Sequence, residues 1–483
     1  MKILKLATLV CAVLLAAMIV STLLVRAQSR REPGNATSSG SVSDPGVRSD
    51  AVLVGTPLPS LSSDQLQYFQ DGLSRFMQVD SVSGGVPGEP GTGLGPGFNS
   101  NSCASCHAQP AVGGTSPSTT AYPFVGPNPQ IAAANDSGAN NSIPYFISAD
   151  GPVREVRFPF AVTASGSVTQ TPDGGVHNVF TIAGRSDAPN CNMAQPNFEQ
   201  MQRENNIIFR IPTPVFGEGL IENIPDATIL ANMNANSQLK NQLGITGHPN
   251  TSGNDGSIMR FGWKAQNKSL EVFAGEAYNV EIGVTNELFQ TERGNPPGAC
   301  LYNPTPEDET NYTYSGDQIP SDTVAFADFM RFLAPPVPSV NGIPGNPTPQ
   351  SIQAGQAVFN LVHCNMCHTP TLQTGPSNMT LGLSGQPAAL FSDLLVHHMG
   401  TGLADNVAQG SAGPDEFRTA PLWGVGQRVF FLHDGRATPA NGGLLTAIQA
   451  HSSHGSEANQ VISLFNQLPP QEKQELLNFL RSL

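Results

Sequence analysis

Apolar side chains recur at helical spacing in several stretches of this chain and alternate in one. From Ser269 to Gly283 the apolar positions are Leu270, Phe273, Ala274, Ala277, Val280 and Ile282. From Thr323 to Leu333 they are Val324, Phe326, Phe329 and Phe332, with Pro335-Pro336 as a stop. Pro470 to Leu483, carrying Leu476, Leu477, Leu480 and Leu483, reads as an amphipathic C-terminal helix. The alternating stretches are Val153-Arg-Glu-Val-Arg-Phe158 and Val176-His-Asn-Val-Phe-Thr-Ile182. With Thr171-Pro-Asp-Gly-Gly175 between them, they predict a β-hairpin.

The most apolar run, Leu6 to Val25, follows Lys2 and Lys5 and ends at Val25-Arg26-Ala27. This is the pattern of an export signal cleaved near Ala27; an uncleaved anchor is the alternative, and membrane attachment is expected only in that case. Either way the rest of the chain is expected outside the cytoplasm, in the periplasm or an equivalent exported location. Residues 28–58 are rich in Ser, Gly, Pro, Arg and Asp and read as a disordered tether. The formal charge is −14, and it becomes −17 once Lys2, Lys5 and Arg26 leave with the signal. Such a surface has no electrostatic reason to bind nucleic acid. Only 12% of residues are charged while Gly and Pro number 49 and 41, which predicts long irregular segments wrapped around an organising group.

The cysteines identify that group. Apart from Cys11 in the leader, six remain, and four fall in Cys103-Ala-Ser-Cys106-His107 and Cys364-Asn-Met-Cys367-His368. Two thiols one helical turn apart can form thioethers with haem vinyl groups, and the adjacent imidazole then lies beneath the iron. A single Cys-x-x-Cys also serves redox dithiols or half of a zinc site. Two copies, each followed by His, point instead to two covalently bound c-type haems with His107 and His368 as proximal ligands. Cys191 and Cys300 are left over, either as a disulfide or as two buried thiols.

The halves repeat. Phe209-Arg-Ile-Pro-Thr-Pro-Val-Phe-Gly-Glu-Gly219 parallels Phe417-Arg-Thr-Ala-Pro-Leu-Trp-Gly-Val-Gly426. The first begins 106 residues after Cys103 and the second 53 after Cys364, so the first copy carries an insertion of about 53 residues. Gly355-Gln-Ala-Val-Phe359 fits the N-terminal helix of a cytochrome c domain, which crosses a C-terminal helix such as 470–483. The expected fold is mainly α and loop-rich, with two cytochrome c-like haem domains. Residues 1–27 are the signal, 28–58 the tether, 59–340 the first haem domain with a β insertion at about 143–190, and 341–483 the second.

Several longer segments carry a family resemblance. They include Gly93-Leu-Gly-Pro-Gly-Phe-Asn99, Pro110-Ala-Val-Gly-Gly114, Gly219-Leu-Ile-Glu-Asn-Ile-Pro225, Arg260-Phe-Gly-Trp-Lys-Ala265 and Phe332-Leu-Ala-Pro-Pro336. In the C-terminal half they include His398-Met-Gly400, Leu403-Ala-Asp405, Pro421-Leu-Trp-Gly424 and Phe431-Leu-His-Asp-Gly-Arg-Ala437. Over most of residues 60–483 the chain resembles the di-haem oxidoreductases related to bacterial di-haem cytochrome c peroxidases and to the methylamine-utilisation di-haem enzyme. The resemblance implies hydrogen peroxide reduction at the N-terminal haem and electrons from a small cytochrome or cupredoxin through the C-terminal haem. It also implies a calcium ion between the domains, although no calcium loop is recognisable. Where relatives carry a Trp-Asp-Gly-Arg-Ala-type segment in the N-terminal half, this chain has Glu218-Gly-Leu-Ile-Glu222.

The same resemblance assigns further residues. Gly443 to His451 places His451 where relatives keep the sixth ligand of the C-terminal haem, and Met399 is the rival on ligand chemistry. Glu222 is the expected acid–base carboxylate beside the N-terminal haem, or else a helix cap near Pro225. Glu276 and Glu281 are weaker candidates, expected as solvated helix positions. Trp263 is the expected aromatic relay between haems, or simply core. Arg260, Arg418 and Arg436 are expected against haem propionates, with His433 in a structural hydrogen bond and His397, His398 and His454 at the surface or behind the ligands. Two other functions are open at this point: an electron carrier with both irons six-coordinate, and an oxidase or oxygenase acting on an organic or protein substrate.

Overall fold

The principal helices begin where side chains satisfy the first backbone donors. In the computed structural model, which describes residues 41–117, 126–316 and 318–483, helix α1 (Ser63–Phe76) opens on a capping box between Ser62 and Gln65. Helix α2 (Glu218–Glu222) follows Gly217, whose φ is 70°. Helix α3 (Leu270–Ala277) is capped by Ser269. It runs into a π-helical stretch, Tyr278–Ile282, that closes on Gly283. Helix α4 (Asp322–Phe332) ends in extended backbone at Leu333. Helix α5 (Pro349–Leu361) combines a Thr348 cap with Pro at its start. Helices α6 (Leu444–Ala450) and α7 (Pro470–Ser482) complete the set used below. The expected helices at 269–283, 323–333 and 470–483 are all present.

Two helix crossings organise the two halves. Helix α1 packs on α4, and α5 packs on α7. Each crossing is close because a glycine sits at the contact. A Cβ at Gly72 would collide with the Ala325 carbonyl, and one at Gly355 with the Glu475 carbonyl. Aromatic side chains fill in around these contacts: Phe76 lies 4.9 Å from Phe329, and Phe359 lies 5.5 Å from Phe479, centroid to centroid.

Strands β1 (Glu155–Arg157), β2 (Val176–His177) and β3 (Ile208–Arg210) form an antiparallel sheet in the order β2-β1-β3. The two alternating stretches therefore pair as expected, with Val156 opposite His177. Their connection differs. Phe160–Val162 and Val168–Pro172 pair with each other as a nested hairpin, and the backbone of Asp173 and Gly174 bonds back to Pro159 and Phe158. The intervening residues found their own partner: the turn at 163–167 closes the inner hairpin, and the Asp-Gly step leads from its end into the outer strand rather than joining the two outer strands directly. Strands β4 (Val396–His398) and β5 (Glu416–Arg418) pair antiparallel, with His398 opposite Glu416.

Helix accounts for 30% of the chain and strand for 13%, so the fold is mixed rather than mainly α. The difference lies in two- and three-residue ladders within the Gly- and Pro-rich loops, too short to leave a clear alternating pattern. Ser43–Leu483 forms one compact unit.

The tether expected through residue 58 ends earlier. Asp44 pairs with Arg481 at 2.7 Å, and the buried Arg48 donates to the carbonyls of Asp50 and Leu483. Composition misled here because this segment is anchored by charge and backbone bonds, not by apolar burial. Residues 1–40, which hold the expected signal and the start of the tether, lie outside the described residues. Among the described residues no helix is long and apolar enough to cross a membrane. Cys191 and Cys300 form a disulfide with Cα atoms 4.6 Å apart.

In an exposed helix interior, Gly→Ala stabilises by about 1 kcal/mol. At Gly72 the sign should reverse, with Gly72→Ala costing about 1–3 kcal/mol through overpacking. Thermal melts of the haem-loaded protein check this, and a raised melting temperature would remove the close crossing.

Candidate functional site

Both cysteine motifs sit on single turns that present their histidines alike. Cys103–Cys106 is one helical turn whose end is bonded from the His107 N–H to the Cys103 carbonyl at 3.0 Å. Cys364–Met366 is a 3₁₀ turn, with the His368 N–H bonded to the Cys364 carbonyl at 2.9 Å. All four motif cysteines are free. His107 Nδ1 donates to the Gly114 carbonyl at 3.0 Å, and His368 Nδ1 donates to the Phe391 carbonyl at 3.0 Å. A carbonyl only accepts, so each bond holds the proton on Nδ1 and leaves Nε2 as the coordinating nitrogen. Burial lowers both imidazoles to about 4, which keeps them neutral as iron ligands require. Phe76 edges onto His107 at 5.8 Å and Phe359 tilts against His368 at 6.5 Å.

Each histidine faces a large cavity. The His368 cavity holds about 1480 Å³ of space including its mouth, and the His107 cavity about 1040 Å³. Trp263 lines both. Its Nε1–H donates to the Ile211 carbonyl at 2.8 Å, and the Ile211 N–H donates to the His433 carbonyl at 2.8 Å. His433, expected in a polar bond, is instead stacked on Phe417 at 4.3 Å and meets Trp263 edge-on at 6.4 Å. Trp263 is thus shared by the walls of the two cavities.

The walls contain guanidinium nitrogens with no hydrogen-bond partner among the described residues. In the His107 cavity Arg154 Nε is buried and unbonded; in the His368 cavity so are Arg418 Nε and both Nε and Nη2 of Arg428. Burial lowers Arg428 to about 10, the response of a cation with no anion beside it. A haem brings two propionates, and these guanidinium groups are placed to meet them. The donor set, neutral imidazole plus paired thiols plus buried guanidinium, fits a haem in each cavity. Of the expected arginines only Arg418 lines a haem-sized cavity with an unbonded nitrogen. Arg260 is spent on Asp226 and on the Ile224 carbonyl, and Arg436 is exposed and paired with Asp434. Arg154 and Arg428 were missed because nothing in their local sequence distinguishes them.

Glu222 does not reach the His107 cavity. Its Oε1 accepts from the Leu270 N–H at 2.9 Å and its Oε2 pairs with Arg331 at 2.8 Å. It is therefore a structural carboxylate, tying the start of α3 to α4 rather than capping a helix at Pro225. The carboxylates that line the cavity are Glu281 and Glu155. Glu281, expected as solvated, lies on the π-helical stretch, which turns it inward, and Asn99 Nδ2 donates to its Oε2 at 2.8 Å. The two carboxyls share a hydrogen bond and are pushed apart in acidity. Burial and the neighbouring Glu155 raise Glu281 to about 8. Arg157 and Arg210 outweigh burial at Glu155 and hold it below the ordinary carboxylate range.

In the His368 cavity, His451 and Met399 both line the wall. His451 Nδ1 donates to the Ala447 carbonyl at 2.8 Å, which leaves Nε2 for coordination, and its position disfavours a charge on His368. His397 is buried, not at the surface, and is held by Asp393 at 3.0 Å and Glu457 at 2.8 Å. Among the described residues no second histidine lines the His107 cavity.

A family model described as "Di-haem oxidoreductase, putative peroxidase" matches residues 165–483. No curated protein matches the chain. Among solved structures, the hydrazine synthase of Kuenenia stuttgartiensis aligns over 94% of this chain and 100% of its own, at 14% identity and a TM-score of 0.34. A MauG-like protein associated with microbial copper homeostasis aligns over 88% of this chain and 92% of its own, at 13% identity and a TM-score of 0.32. Likenesses this weak carry no argument.

Beside Trp263, a smaller cavity is walled by Glu218, Arg418, Trp423 and Arg428. Burial pushes the Glu218 carboxyl up to about 8 against the pull of Arg418. The folded state therefore holds this proton more tightly than the unfolded chain does. Its contribution is full below pH 4.5 and is lost as pH rises to about 8, at up to about 1.4 kcal/mol per pH unit. Glu218→Gln should flatten stability over that window in denaturant titrations of the haem-loaded protein; equal slopes in both proteins would mean that Glu218 is ionised.

Proposed function

This chain belongs to the di-haem oxidoreductase family, and from that premise we propose an exported c-type enzyme that reduces hydrogen peroxide at its N-terminal haem. The observation that carries the reading is the Glu281–Glu155 pair in the wall of the His107 cavity. Haem bound there supplies the electron chemistry that cleaves an oxygen–oxygen bond. The protein's own task is to move protons. Reduction of peroxide to two waters takes two electrons and two protons, and the inner peroxide oxygen must lose a proton that the outer one gains. Glu281 holds a proton near neutral pH while Glu155 stays ionised, so the pair contains both a donor for the outer oxygen and an acceptor for the proton that the inner oxygen loses, and the hydrogen bond between the two carboxyls restores the starting state. Glu281 takes the role first expected of Glu222.

The two cavities differ in a way that divides the labour. His451 and Met399 offer sixth ligands on the His368 side, which suits electron transfer, with His451 the better oriented. The His107 side has no second histidine among the described residues, which suits an open iron. Trp263 carries electrons between them, and a small cytochrome or cupredoxin supplies them. The paired cysteines form the thioethers. Export to an oxidising compartment, the periplasm, agrees with the Cys191–Cys300 disulfide.

Electron paramagnetic resonance of the oxidised protein should show one high-spin and one low-spin iron. Two low-spin signals that persist after partial reduction would favour a pure electron carrier. Glu281→Gln should lower peroxide turnover by about 10²–10⁴-fold with both spectra unchanged, whereas loss in Glu222→Gln and not in Glu281→Gln would reverse the assignment. Trp263→Phe should slow electron transfer between the haems and leave the spin states alone; an unchanged rate would remove the relay.

A further inference from the structure

Three segments that share no strand or helix bring a fully buried group of charges together at the wall of the His107 cavity. Arg210, the last residue of β3, stands directly opposite Glu155 in the β1–β3 ladder. Their side chains therefore share one face of the sheet, and both line the cavity. Asp405 holds the far side of the guanidinium: its Oδ2 accepts from Arg210 Nη2 at 2.6 Å and from Nε at 3.2 Å. Asp405 Oδ1 lies 3.1 Å from Lys264 Nζ and accepts from the Val407 N–H at 3.0 Å. Lys264 Nζ also donates to the Gly413 and Glu416 carbonyls at 2.9 and 2.8 Å. Arg210 Nη1 donates to Gln409 Oε1 at 2.6 Å. The side chains of Arg210, Asp405 and Lys264 are 2%, 0% and 0% exposed, so solvent screens their charges little.

Glu155 is faced by Arg157 on its own strand, by Arg210 across the ladder and by Glu281 from the π-helical stretch, with Arg293 and Glu276 acting on the same group. Each cation beside a carboxyl pair favours ionisation of both members, and each further carboxylate opposes it. We propose that Asp405 is a positioning residue for the Glu155–Glu281 pair, fixing Arg210 against Glu155 and setting how much of that cation's charge the pair feels. The inference rests on the peroxidase reading for its catalytic meaning. With Asp405 behind it, Arg210 keeps Glu155 ionised without stripping the proton from Glu281, and proton transfer to and from peroxide needs that division. Lys264 holds the second Asp405 oxygen, so the carboxylate cannot turn away from Arg210 without breaking a buried ion pair. Lys264 Nζ also lies 4.1 Å from the Phe417 ring, which stacks on His433 in the wall of the His368 cavity. The protonation of the N-terminal pair is thus governed in part by a residue of the C-terminal half.

Infrared titration of the haem-loaded protein reads the pair directly, through the carbonyl stretch of a protonated carboxyl that disappears in Glu281→Gln. Asp405→Asn removes a negative charge and should move the midpoint of that band to lower pH by about 0.5–1 unit. Gln409→Glu, at the half-buried end of the cluster, adds a negative charge beside Arg210 and should move it to higher pH. The alkaline limb of peroxide turnover should follow the band in both variants. The haem absorption spectrum reports folding; if Asp405→Asn loses it, Gln409→Glu alone gives the readout. No Glu281-dependent band in the parent, or a band at the parental midpoint in the folded variants, overturns the assignment. Opposite shifts in a protein that does not turn over peroxide support the coupling and remove the peroxidase reading instead.

Discussion

Buried guanidinium nitrogens with no hydrogen-bond partner among the described residues are the constraint on which the rest of this structure depends. Arg154, Arg418 and Arg428 each keep at least one such nitrogen, although other nitrogens of Arg154 and Arg418 reach the Phe146 and Arg260 carbonyls, and they stand in the walls of cavities too large for side-chain packing to close. A chain arranged this way is completed by what it encloses. Two haems bring both missing elements, a flat apolar body for the cavity and propionates for the cations. This also explains how a chain with so many loops holds a single compact unit from Ser43 to Leu483. Irregular backbone can be held in place by a large buried group as well as by long helices and sheets.

The frame around each cavity is a helix crossing whose geometry is set by glycine. Gly72 and Gly355 let α1 reach α4 and α5 reach α7, and this contact places Phe76 and Phe359 against the proximal imidazoles. The backbone carbonyls of Gly114 and Phe391 then set the ring tautomers. Two halves with different loops therefore present their motif histidines to the cavities in the same way. Their difference lies on the opposite walls. One wall carries a carboxyl pair whose members are pushed apart in acidity, and the other carries a histidine and a methionine suited to filling a coordination position. Trp263, fixed through Ile211 to His433, is the only tryptophan of the two in the chain that lines both cavities.

What the sequence determined by itself was whatever short-range spacing encodes. The Cys-x-x-Cys-His motifs, the helices at 270–277, 322–332 and 470–482, and the pairing of 155–157 with 176–177 follow from residues close together in the chain. Trp263, singled out from its family-like segment, lines both cavities. Tertiary structure alone decided the questions of encirclement. Glu222 sits in a family-like segment yet turns to Arg331, while Glu281, on what reads as a solvated helix face, turns into the cavity because the helix widens at Tyr278. Arg428 has no local signal, and only the fold shows that its Nε and Nη2 are buried with no partner among the described residues. Arg210, Lys264 and Asp405 stand far apart in the chain and meet only because three segments pack side by side. Spacing along the chain fixes which groups lie one turn or one residue apart, but a carboxyl pair such as Glu281 and Glu155 depends on which groups face each other across elements, and only packing sets that.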